Sequence, residues 1–190
     1  MARKLYHVPA WHNRVDWNID DPLDQNSLTS YMRTMPEWFW QVAEIYWDIV
    51  HEAVRRLHIL DWKKVACFSD STWEASIEEE KFVRALAKEG SRHMQVVVYL
   101  LDSGARQEVT EDASLFIGKS TEDSYTAPLE IRDAAIASNI NRRLQDGEIG
   151  FLILGMDHKS WQQHLDPDIL IETILNEDDL KKFPNKEKAV

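Results

Sequence analysis

Three short apolar runs punctuate the chain at residues 4–10 (KLYHVPA), 63–70 (KKVACFSD) and 149–155 (IGFLILG). The last is apolar without alternation, the pattern of a strand covered on both faces of a parallel sheet. Between these runs the period changes. Trp38, Val42, Ile45, Ile49, Ala53 and Leu57 recur at helical spacing, predicting an amphipathic helix of about 20 residues. Thr34, Pro36 and Glu37 before it fit a capping box with proline in the first turn. Residues 74–89 read as an acidic helix stopped by Gly90. In 91–102 the VVVYLL core favours strand by propensity, but Ser91 as cap and the terminal Gly104 decide for helix. ARQEVT at 105–110 reads as a short strand delivering Glu111 and Asp112. Ile131, Ala135, Ile136, Ile140 and Leu144 predict a helix from Leu129 to Asp146, stopped at Gly147. Residues 168–175 form a last short strand or helix, and 12–30 and 118–128 are expected loops.

Strands alternating with helices predict an α/β fold: a mainly parallel central sheet with helices on both faces, one domain over 1–175 and a charged tail over 176–190. In such folds ligands bind beyond the carboxyl ends of the strands. Four polar clusters occupy those ends: His12, Asp70, Glu111 with Asp112, and Asp157 with His158. They are expected on one rim.

Composition narrows the partners. With 190 residues, 44% hydrophobic and 29% charged, the chain can bury one core without disulfides. A net charge of -11 repels polyphosphate, so neither nucleic acid nor an anionic membrane surface is expected. The single Cys67 lies in the apolar VACF run, and no apolar stretch suits a signal peptide or membrane span, so the cytoplasm is the simplest location. Four of the eight tryptophans, Trp11, Trp17, Trp38 and Trp40, fall in the first 40 positions, near the first histidine.

His12 and His158 on different strands, with carboxylates beside them, suit Zn, Mn or Fe, because neutral imidazole and carboxylate bind these ions and leave room for water. Without metal, the same groups suit acid and base work. Arg132, Ile136, Asn139 and Arg143 share an approximate stripe of one helix, so Arg132 could fork onto a developing oxyanion. His51, His58, His93 and His164 read as surface or core residues. Neither G-x-S-x-G nor a glycine-rich phosphate loop occurs, which disfavours a serine hydrolase of that type and a nucleotide site.

The late motif Arg132-Asp133-Ala134-Ala135-Ile136-Ala137 followed by Gly155-Met156-Asp157-His158, with Pro9-Ala10-Trp11-His12 early in the chain, resembles the TraB, ChaN and erythromycin-esterase-like superfamily. The early motif has proline where glycine is often found. The resemblance spans most of residues 4–158 and implies His12, Glu111, Arg132 and His158 as central residues, with Asp16 and Asp70 in support. That group includes metal-dependent peptidases, a macrolide esterase and a haem-binding lipoprotein.

The leading expectation is a metal-assisted hydrolase of a small ester, amide or lactone. His12 and His158 hold a divalent metal, Glu111 ligates or acts as base, Arg132 stabilises negative charge, and Asp70 belongs to the catalytic set. Asp16, Asp112, Asp157 and Asn139 support them. The alternative is a non-catalytic binding or sensor module for haem or another flat ligand, held by His158 or Met156 and stacked on Trp11 or Trp17. A third is a regulatory subunit whose aromatic helix packs on a second copy as a homo-oligomer.

Overall fold

The computed structural model describes residues 2–16, 27–69, 72, 76–116, 127–175 and 177–180. The apolar runs pair edge to edge as β1 (Arg3–Ala10), β2 (Val65–Ser69), β3 (Arg106–Glu108), β4 (Ile149–Gly155) and β5 (Ile169–Thr173). All pairings are parallel, in the order β3-β2-β4-β1-β5. β1 and β4 run in register from Lys4 with Ile149 to Ala10 with Gly155.

The helices are α1 (Ser27–Met32), α2 (Glu37–Arg56), α3 (Ile77–Glu89), α4 (Arg92–Asp102), α5 (Leu129–Arg143) and α6 (Glu177–Leu180). Strand side chains alternate between two cores. Tyr6, Val8, Ala10, Cys67, Phe151 and Ile153 pack with α2, α3 and α4 through Trp47, Val50, Val83, Val97 and Leu100. Leu5, Ala66, Phe68, Leu152 and Leu154 meet Ile136, Ile140 and Leu144 of α5, with Trp161 beyond them. The α/β architecture with helices on both faces is therefore present. Gly150 serves the second core, because a Cβ there would lie 2.6 Å from Leu5 Cδ1.

The connections explain where a ligand can enter. From β1 the chain passes through α2 to β2, then through α3 and α4 to the edge strand β3, all over the first face. It returns through α5 to β4, and past the short 3-10 turn Trp161–His164 to β5, over the second face. β1 and β4 are neighbours that send their connections to opposite faces. Their carboxyl ends define the topological switch point, where open α/β sheets bind ligands.

Several expectations are corrected in detail. Pro36, not Thr34, is the N-cap of α2, and it has no side-chain cap bond; the Thr34 hydroxyl instead donates to the Tyr31 carbonyl at 2.7 Å and closes the turn after α1. The buried stripe of α2 is Trp40, Ala43, Tyr46, Trp47, Ile49, Val50, Ala53 and Val54, which includes the expected Ile49 and Ala53, while Trp38 and Ile45 are exposed. The rotation follows from two polar tips. Tyr46 donates its hydroxyl to the Pro9 carbonyl and Trp47 its indole N–H to the Trp11 carbonyl, each at 2.5 Å, so both rings must face the exit of β1.

α1 occupies part of the expected 12–30 loop, whose residues 17–26 lie outside the described residues, as does most of the 118–128 loop. α3 begins at Ile77 behind the Ser76 cap, and α5 ends at Arg143. The segment 168–175 supplies a parallel edge strand, not a helix. Residues 177–180 of the expected tail are helical and tied down: Asp179 is buried and accepts from Arg56 at 2.7 Å. Among the described residues, no helix is long and apolar enough to cross a membrane.

Candidate active site

Beyond the last β1–β4 pair lies a cleft of about 520 Å³, lined by Trp11, His12 and Asp16 from the β1 side and by Gly155, Met156, Asp157 and His158 from the β4 side. Met32, Phe39 and Leu129 add apolar walls, and Arg132 adds a cation. That volume suits a small organic ligand.

On the β1 side the chain turns sharply. The Asn13 backbone N–H donates to Asp16 Oδ2 at 2.8 Å, which folds the carboxylate back under the turn. Asn13 Nδ2 donates to the Gly90 carbonyl and to Glu44, anchoring this turn to the end of α3 and to α2. The Asp16 side chain, 4% exposed, lies 3.1 Å from Nδ1 of the equally buried His93 and 3.7 Å from Nδ1 of His12. The two imidazoles stand edge to face with centroids 5.0 Å apart. His93 arrives from the first turn of α4, whose cap Ser91 places Oγ 3.2 Å from His93 Nδ1. Burial opposes ionisation of Asp16, but hydrogen bonds from His12, His93 and Ser91 outweigh it and hold the carboxyl well below the usual carboxylate range. Its Oδ1 is buried without a hydrogen-bond partner among the described residues.

On the β4 side, the His158 backbone N–H closes a turn onto the Gly155 carbonyl at 3.1 Å. His158 Nδ1 lies 2.5 Å from Oδ1 of buried Asp133 on α5. Asp133 Oδ2 accepts from the backbone N–H groups of Lys159 and Ser160 and from the Ser160 hydroxyl, at 3.1, 2.6 and 2.7 Å. Burial again raises the carboxyl pKa, yet Ser160 and His158 outweigh it, so Asp133 titrates below its ordinary value. An ionised Asp133 assigns the proton to His158 Nδ1 and leaves Nε2 for the cleft. Next to it, Arg132 donates Nε and Nη2 to Oε1 of fully buried Glu111, at 2.9 and 2.7 Å.

Seven of the residues picked from sequence thus line one cleft: His12, Asp16, Arg132, Asp157 and His158, with Trp11 and Met156. Glu111 reaches it through Arg132. Of the expected metal set of His12, His158 and Glu111, His158 places Nδ1 against Asp133 and Glu111 places Oε1 against Arg132. Among the described residues, the ligand atoms that lie within 4.8 Å of one another belong to His12, Asp16 and His93. Asn139 donates to the Thr110 carbonyl and accepts from Arg142, clamping the chain just after β3. Asp112 is exposed and caps the turn at 113–116 through Ser114. Asp70 and Trp17 lie outside the described residues.

His93 and Asp133 were not identified as site residues from sequence. Asp133 carried a signal, since it shares the i, i+3, i+7 stripe of Ile136 and Ile140 and a carboxylate on an apolar stripe requires partners. His93 carried none beyond its place after a helix cap. No family model, curated protein or solved structure matches the chain, and nothing in those comparisons identifies the TraB, ChaN and erythromycin-esterase-like superfamily.

Proposed function

We propose that the chain is a metal-assisted hydrolase of a small ester, amide or lactone. One observation carries this reading: the switch-point cleft sets a buried carboxylate–imidazole couple, Asp133 and His158, beside Arg132 on one side and a carboxylate between two histidines on the other. With the carbonyl of the substrate in the cleft, His158 Nε2 takes a proton from water as the water oxygen bonds to the carbonyl carbon. It returns that proton to the leaving oxygen or nitrogen as the acyl bond breaks. Asp133 keeps the imidazole in the tautomer this needs and offsets its transient charge. Arg132, held by Glu111, offers donors to the developing oxyanion. Trp11, Met32, Phe39 and Leu129 hold the apolar body of the substrate and exclude water.

The donor set of His12, Asp16 and His93 fits Zn, Mn or Fe, and the unpartnered Asp16 Oδ1 is an oxygen that such an ion would satisfy. When bound, the ion supplies Lewis acidity and a water of lowered pKa.

The test is a panel of aryl esters, anilides and lactones offered to the wild type and to Asp133→Asn in zinc-containing buffer. We expect turnover by the wild type and a loss of roughly 10²- to 10⁴-fold in kcat for the variant, with circular dichroism unchanged. Absence of turnover across the panel, or an Asp133→Asn protein as fast as wild type, would overturn the proposal.

A further inference from the structure

We infer that His12, Asp16 and His93 form a binding site for one first-row transition cation of the zinc class, distinct from the strand-end pair His12 and His158. The inference extends the hydrolase reading by naming the ligands of its ion, and it stands on geometry that does not need hydrolysis. Three unlike segments converge: the end of β1 brings His12, the following turn brings Asp16, and the first turn of α4 brings His93. All three ligand atoms lie within 4.8 Å of one another. Separations of 3.1 and 3.7 Å from one carboxylate oxygen to two imidazole nitrogens leave those groups within reach of a shared ion.

Asp16 Oδ1, the oxygen of the same carboxylate other than the one near the imidazoles, is also buried without a hydrogen-bond partner among the described residues. A carboxylate oxygen withdrawn from water without a partner costs stability, and the fold otherwise satisfies this turn closely through Asn13, Gly90 and Glu44. Two nitrogens and one carboxylate select against magnesium and calcium, which demand oxygen-rich shells. Three protein ligands also leave a fourth position for water or substrate. His12 and Asp16 line the cleft, whereas His93 is buried away from it, so the open position belongs on the cleft side.

The experiment uses full-length protein without a histidine tag, stripped with dipicolinate and dialysed. Cobalt(II) is titrated in while visible d–d absorption is followed, and zinc is counted by elemental mass spectrometry after equilibrium dialysis. We expect one equivalent per chain, together with a Tm rise of roughly 5–10 °C at about a hundredfold excess of zinc over Kd. Asp16→Asn and His93→Gln should each weaken binding by at least about a hundredfold, while His158→Gln should bind as wild type. Magnesium should not shift Tm. No stoichiometric ion in wild type, equal binding in the Asp16→Asn/His93→Gln double variant, or binding lost in His158→Gln but kept in His93→Gln would each overturn the site. Folding of every variant is checked by circular dichroism, and His12→Gln replaces any that fails. Stoichiometric cobalt without turnover on any ester would sink the hydrolase and leave the site standing; turnover by protein that takes up no cobalt would sink the site and the metal-assisted reading together, and leave only acid–base chemistry at His158 and Asp133.

Discussion

Glu111 has no exposed surface, and its Oε1 receives both contacts from Arg132. Removing one member of a buried pair leaves the other charge without its counter-ion, a loss on the order of 3 kcal/mol or more. Glu111→Gln is therefore expected to lower the unfolding free energy by that amount, read as a lower urea midpoint at unchanged m-value; a change below about 0.5 kcal/mol, the range of surface substitutions, would show that the pair does not hold Arg132. At this scale the sequence was legible where a polar residue followed a strand, as at His12 and His158. Among the helix residues, Arg132 was legible and His93 was not. His93 is the second residue of α4 and meets Asp16 where Asn13 folds the turn back, a turn held by the contact of Asn13 with Gly90, 77 positions apart. Asn139 and Asp112 show that an amide or carboxylate near a strand end also bonds nearby backbone, as both do here.

Strand and helix positions were readable because burial on both faces leaves an unbroken apolar run and burial on one face leaves a period. β4 occupies the whole of its expected span, Ile149–Gly155. The rotation of α2 was not readable, since Trp38 and Ile45 are apolar enough to be counted into the stripe, and the choice was made by where Tyr46 and Trp47 find acceptors. β1 carries one residue at odds with its surroundings. His7 packs against Trp161 with ring centroids 5.0 Å apart, its Nε2 is buried without a partner, and burial lowers its pKa from 6.5 to about 4. Below pH 6.5 the unfolded chain takes up a proton that the folded chain refuses. The contribution of His7 to stability is thus complete above pH 6.5, falls as pH drops towards 4, and is level below that, a loss of up to about 3 kcal/mol. We expect the urea stability of His7→Leu to fall less than that of wild type between pH 7 and pH 4.5. Parallel losses in the two proteins would contradict this origin.

For the molecule as a whole, alternation of element types was sufficient to foresee a parallel sheet covered on both faces, but not its strand order. Order decides which strand ends are neighbours. In β3-β2-β4-β1-β5 the ends of β1 and β4 meet at the switch point, so His12 and His158 share a cleft, while the end of β3 lies two strands from β4 and Glu111 enters only through Arg132. The cleft itself unites an imidazole couple for proton transfer, a guanidinium held in place, and a set of nitrogen and oxygen ligands, and the hydrolase reading requires them to act together. The most direct test is the initial rate of aryl-ester hydrolysis by wild-type protein before chelation, after stripping with dipicolinate, and after zinc is restored. The account predicts a rate that collapses on stripping and returns with about one equivalent of zinc. A rate indifferent to stripping, or no rate in the zinc-loaded protein, would contradict it.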